Sequence, residues 1–177
     1  MGFLVGDQIE LSPLDPENDT HRTVYSQSRN DPAMRATGAY SRALTQGQAC
    51  DQLEDLQNSD DPNALCAIQV DDEVVGWAGI HLPDVRARVA HVGYYVLPEY
   101  QGQGYASEAA RLLVTYAFDE LNAHSVRAEV QADNPASERV LEKLGFQQEG
   151  RKRAAYYREG EYKDLTIWSV FEDEFDQ

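Results

Sequence analysis

The stretch VGYYVLPEYQGQGYASEAARLLVTYAF, residues 92–118, decides the fold. Its first residues read as the end of an apolar strand that Leu97-Pro98 stops. Ala106–Leu121 then places Ala109, Leu112, Leu113, Tyr116 and Ala117 on one helix face. Between strand and helix lies Gln101-Gly102-Gln103-Gly104-Tyr105-Ala106. A glycine-rich turn entering a helix points successive amides inward, with the positive end of the helix dipole behind them, so it can hold an anion without basic side chains. A P-loop would need GxxxxGK[ST], and no lysine stands here. A dinucleotide loop GxGxxG would need glycine at position 107, where the chain has Ser107.

Working outward, Arg86–Val96 reads as a strand. Ala64–Val70, an Asp71-Asp72 turn and Glu73–His81 form a hairpin before it. Gln8–Pro13 alternates as a short strand, Asp15-Pro16 opens a polar helical region toward Asn30, and Thr45 caps a helix over Gln46–Gln57. Downstream, Ser125–Gln131 is a strand. Asn134-Pro135 starts a helix over Ala136–Leu144 that Gly145 stops, and Phe146–Tyr157 and Tyr162–Phe171 are strands joined by Glu159-Gly160. The last of these is expected at an exposed sheet edge. Strands with two helices interleaved in the second half predict a mixed α/β sheet covered by helices. The polar stretch NSDDPN, residues 58–63, is too short to separate domains, so one domain over 1–177 is expected.

Charge narrows the partners. Asp and Glu total 31 against 15 Lys and Arg, a net charge of −16, and only Arg151, Lys152 and Arg153 cluster basic residues. Nucleic acid and anionic membrane are therefore disfavoured. Only three of the fifteen basic residues are lysines, and this acid-rich, lysine-poor composition resembles that of salt-adapted proteins. The 42% hydrophobic content is enough for a real core. Cys50 and Cys66 match neither a CxxC pair nor a zinc set and read as two buried free thiols, and no metal site is expected. The start MGFLVGDQ lacks the pattern of a signal peptide, so a cytoplasmic protein is expected.

Residues 92–118, followed by QADNPASERVLEKLGFQQEG at 131–150, resemble the GNAT superfamily of acetyl-CoA-dependent N-acetyltransferases, and within it the branch of ribosomal-protein N-terminal acetyltransferases. The resemblance covers Ala64–Phe171. It implies a mixed, mostly antiparallel sheet of six to seven strands, helices on both faces, and a V-shaped cleft where the third strand splays from the next at a bulge. It implies that free backbone groups of Val96 and Leu97 pair with the pantetheine arm of acetyl-CoA, and that the loop Gln101, Gly102, Gln103, Gly104, Ala106 and Ser107 holds the pyrophosphate. Asn134 and Ser137 would contact the pantetheine and its sulfur end.

Acetyl transfer needs a neutral amine, an oxyanion donor and a proton for the departing thiolate. Direct attack in a ternary complex is what the family implies, with a strand amide near Val96 polarising the acetyl oxygen. Ser137 is the candidate proton donor, or a helix-surface serine. His91 is the candidate base by its ordinary pKa, or a structural histidine. At Tyr156 the resembled enzymes tend to place Glu, so Tyr156 either orients the amine, donates a proton or is a core aromatic. The expected acceptor is the N-terminal α-amine of a protein or peptide. The alternatives are a small-molecule amine, whether a polyamine, an amino acid or an aminoglycoside-like antibiotic, and a module that binds acetyl-CoA without turnover. Monomer and homodimer both remain open.

Overall fold

The computed structural model describes residues 2–35, 43–58, 63–84 and 86–175. In chain order the elements are β1 (Leu4–Val5), β2 (Glu10–Pro13), α1 (Asp19–Asn30), α2 (Pro32–Arg35), α3 (Gln46–Gln57), β3 (Asn63–Val70), β4 (Glu73–Asp84), β5 (Val89–Val96), α4 (Tyr105–Asp119), β6 (Ser125–Gln131), α5 (Pro135–Lys143), β7 (Gln147–Arg158) and β8 (Glu161–Phe171). Helix α1 starts later than Asp15-Pro16 suggests, because Asn18 is the cap: its carboxamide oxygen accepts from the Thr20 and His21 amides. Thr45 caps α3 as expected, in a reciprocal capping box with Gln48. Most of the polar stretch 58–63 lies outside the described residues.

One sheet in the order β1-β2-β3-β4-β5-β6-β8-β7 runs through the molecule, antiparallel except where β5 meets β6. It has eight strands rather than six or seven, because Leu4–Val5 pairs with β2 and adds a short edge. Asp71 and Asp72 both take left-handed backbone, as the two-residue β3–β4 connection requires, and Glu159 and Gly160 do the same between β7 and β8. The terminal strand is not the edge. Leu165, Trp168 and Val170 are buried and β8 lies between β6 and β7, while the largely exposed, charged β7 takes the outside.

Strand alternation divides the core. On one face Cys66, Ile68, Ala78, Ile80, Val92 and Val96 pack against Ala109, Leu113 and Ala117 of α4. On the other, Ala67, Trp77 and Tyr95 meet Val24 and Tyr25 of α1 and Ala49 and Leu53 of α3. The Trp77 indole N–H donates to Ser28 Oγ at 2.7 Å inside this second layer. Cys66 is buried and its thiol is pushed up to about 12 by burial, whereas Cys50 is only half-buried, against expectation, with Sγ 3.5 Å from the Pro16 carbonyl. No helix among the described residues is long and apolar enough to cross a membrane.

Candidate active site

Strands β5 and β6 pair only from Val89↔Ser125 to His91↔Arg127, although β5 runs on to Val96 and β6 to Gln131. Each stays in register with its other neighbour, β5 with β4 and β6 with β8. The sheet therefore opens as two intact halves that diverge, leaving a cleft of about 370 Å³. This corrects the expected bulge. The register shift against β4 lies back at His81–Asp84, beside Pro83, and none falls between His91 and Val96.

Alternation along β5 decides which backbone groups reach the cleft. The Leu97 N–H donates to the Val75 carbonyl at 2.9 Å, so Leu97 is spent on β4 and cannot pair with a pantetheine arm as expected. Residues 94 and 96 point their main-chain groups the other way, toward the opening. The Val96 carbonyl accepts from Gln101 Nε2 at 2.9 Å, which folds the loop back over the strand end and leaves the Val96 amide facing the cleft.

Gly102 (φ 81°) and Gly104 (φ 94°) both sit in the left-handed region, where a Cβ strains the backbone. Gly104 is also the N-cap of α4 and makes no side-chain cap bond, and no side chain among the described residues bonds to the first-turn amides. The N–H groups of Tyr105, Ala106 and Ser107 thus stand orphaned at a helix N-terminus, a fit for the pyrophosphate of acetyl-CoA. Gln101, Gly102, Gly104 and Ala106 line the cleft, while Gln103 is exposed and Ser107 contributes only through its amide. Sequence reasoning missed what braces this loop. The buried Glu108 carboxylate accepts from the Asp7 and Gln8 amides and from Gln8 Nε2, fastening the 6–8 turn under α4.

At the start of α5, Asn134 Oδ1 accepts from the Ser137 amide at 3.2 Å and Asn134 Nδ2 donates to Ser137 Oγ at 3.2 Å. Asn134 is both cap and cleft residue. Because Ser137 Oγ already accepts this bond, its own proton can be donated into the cleft that it lines. The hydroxyl of the half-buried Tyr94 stands 3.5 Å from the Ser137 carbonyl, and desolvation pushes this phenol up to about 12.

Two carboxylates that the sequence did not single out line the same cleft, each held by a tyrosine. Tyr95 donates to Asp31 Oδ2 at 3.0 Å from the end of α1, and Tyr156 donates to Asp133 Oδ1 at 2.9 Å. Tyr156 reaches inward through a bulge in β7, where the register slips between Lys152 and Tyr156 and Ala154 takes φ 51°. Asp164 fixes that bulge by accepting from the Ala154 amide at 2.8 Å and Arg151 Nε at 2.6 Å, bonds that hold its own carboxyl below the usual range. Burial, then the bond to Asp133, raises the Tyr156 phenol to about 12, so it is a positioned donor to Asp133 rather than an acid poised at neutral pH. His91 is not brought to the cleft. It lies at the last β5–β6 pair, in a separate cavity beside Tyr25 and Trp77, with its ring 5.3 Å from His81. Burial, then neighbouring His81 and Arg127, lowers its pKa.

The chain matches the acetyltransferase (GNAT) domain model over residues 8–147. It is 38% identical to the uncharacterized N-acetyltransferase YoaA of Bacillus subtilis over 98 residues, 55% of each chain, so it spans about half the length of that relative. Spermidine N(1)-acetyltransferase of Escherichia coli is 25% identical over 167 residues, 94% of this chain and 88% of that one. Its fold is that of RimL, the ribosomal L7/L12 α-N-protein acetyltransferase solved with coenzyme A, at a TM-score of 0.81 and 20% identity over 96% of this chain and 97% of the other. With the splayed sheet, the open helix terminus and the domain match together, the chain belongs to the GNAT acetyltransferase family.

Proposed function

We propose that this chain acetylates a primary amine from acetyl-CoA by direct attack in a ternary complex, and that the amine is the N-terminal α-amine of a peptide or protein. Acetyl-CoA supplies an acetyl group activated by a thiol leaving group. The amides of residues 105–107 hold its pyrophosphate, and the open main chain at Tyr94 and Val96 takes the pantetheine arm as an added strand. The Val96 amide polarises the acetyl oxygen, and Ser137 protonates the departing sulfur. Neither cysteine is among the cleft residues, which favours direct transfer over a covalent enzyme intermediate.

One observation supports this acceptor class: among the described residues no histidine lines the cleft. The amine must then arrive neutral largely through its own pKa. At pH 7.5 an ordinary α-amine is about one-third neutral, against about one part in a thousand for an alkyl amine, a difference of roughly 250-fold. The net charge of −16 would also draw a basic segment toward the cleft. A small polyamine is the second reading, favoured by Asp31 and Asp133 on the cleft wall against, among the described residues, one guanidinium, Arg158. The names of the relatives divide between these two acceptors. Initial rates with acetyl-CoA and equal concentrations of free-N-terminal peptides, N-blocked peptides and spermidine decide between them. Turnover confined to free N-termini is expected, and preference for spermidine overturns the α-amine assignment.

A further inference from the structure

Building on the amine-acetyltransferase reading above, we propose that Asp133 accepts the proton the amine loses during transfer, and that Tyr156 is the residue that positions it. Asp133 directly precedes the cap residue Asn134, so its carboxylate is fixed to the turn that carries Ser137, and both line the cleft. Oδ1 is taken by the Tyr156 hydroxyl at 2.9 Å, while Oδ2 makes no hydrogen bond among the described residues. Lys163, whose pKa is raised first by its bond to Glu161 and also by Asp133, is the cation that senses it, whereas Arg158, a cleft guanidinium, forms no ion pair with it. The bonds of Arg158 go to Gln131 Oε1 at 3.4 Å and Glu159 Oε1 at 3.6 Å. The tyrosine is well placed for this work. It is 4% exposed, packed on Leu165, and set by a bulge that Asp164 ties down.

A carboxylate is about four units too weak a base to strip a free α-ammonium. It becomes competent once the nitrogen starts bonding to the acetyl carbon, because that nitrogen turns strongly acidic. The neutral amine forms the C–N bond, one of its protons passes to Asp133 Oδ2, the C–S bond breaks, and the sulfur takes a proton from Ser137. Asp133 then releases its proton to solvent and Ser137 regains one from it. In this chain a tyrosine on β7 orients an aspartate from the β6–α5 turn.

Asp133→Asn keeps the size of the side chain and an acceptor for Tyr156. It is expected to lower kcat about 100-fold, the usual worth of a positioned proton acceptor, while the Kd for CoA by calorimetry stays within twofold. Tyr156→Phe is expected to lower kcat about tenfold with the KM for acetyl-CoA unchanged. The double variant should be no slower than Asp133→Asn alone, which a merely structural tyrosine would not produce. Formate should restore part of the turnover of Asp133→Ala. The assays use whichever amine the wild-type protein acetylates faster, so a wrong acceptor class changes the substrate and not the outcome. An Asp133→Asn protein that keeps kcat within threefold overturns the proposal alone. A wild-type protein that binds CoA and acetylates no amine overturns it together with the underlying reading.

Discussion

Between Gly102 and Ser107 the cleft is walled by main chain in conformations that glycine permits, whereas Asp31 and Asp133 are side chains held in place by Tyr95 and Tyr156. The first region is a contiguous run and works through geometry that any neighbouring side chain can accompany. The second is assembled from partners 64 and 23 residues apart in the chain. The phosphate-facing half should therefore tolerate side-chain changes but no Cβ at its left-handed glycines. The acceptor half should be sensitive to the removal of a single hydroxyl.

The largest effect should come from Gly104→Asp. It forces an L residue to φ 94° and sets a carboxylate against the helix terminus where the pyrophosphate binds. CoA affinity should fall more than 100-fold in calorimetry with the circular dichroism spectrum unchanged, and an unchanged Kd would show the loop to be only a turn. Tyr95→Phe probes the other half. Losing the hydroxyl that orients Asp31 should lower kcat/KM for the acceptor about tenfold, the worth of one hydrogen bond to a charged group, with CoA affinity intact. A matching loss of CoA affinity would erase the division between the halves.

That division also explains what could be read from the chain. Strand end, glycines and helix start follow one another within residues 92–118, so local pattern suffices, and Asn134 with Ser137 is likewise a single turn. The acceptor side depends on which strands become neighbours. The β7–β8 hairpin is evident from its turn, but which strand borders β6 is decided by burial, and the near-continuous apolar run Leu165–Val170 beside charged β7 was the available signal. Tyr156 meets Asp133 only because β8 lies inside and β7 bulges at Ala154. Leu97 and His91 show the reverse case, in which long-range pairing overrides a local reading. The position of Leu97 at the strand end and the residue type of His91 suit the roles considered for them, but the ladder to β4 claims the Leu97 amide, and the closed end of the V holds His91.

A smaller effect concerns α1, the helix that carries Asp31 to the cleft. His21 is 5% exposed, and its Nδ1 accepts the Asp15 N–H at 2.9 Å, which requires a neutral imidazole. Burial lowers its pKa below the ordinary 6.5, with Asp15 opposing. The unfolded chain therefore binds this proton first as pH falls. The stability it confers is whole above about pH 6.5 and is lost progressively below it. Thermal melts should show Tm falling from pH 7 to 5, with a shallower slope in His21→Gln, and an identical slope would remove His21 from the account.

His91→Ala should do least, leaving kcat within about twofold. The residue shares a strand with Val96 and a sheet face with Tyr95, and by residue type it is the obvious base. Yet the β5–β6 ladder is still closed at His91↔Arg127, and the side chain lies with His81 in a cavity that shares no lining residue with the cleft. A proton leaving the amine would have to cross the last paired rung to reach it, while Asp133 stands on the open side. A tenfold fall in kcat with CoA affinity unchanged would mean that the working cleft extends past that rung. The acceptor would then enter over α1, and the two tyrosine-held carboxylates would mark its exit rather than its seat.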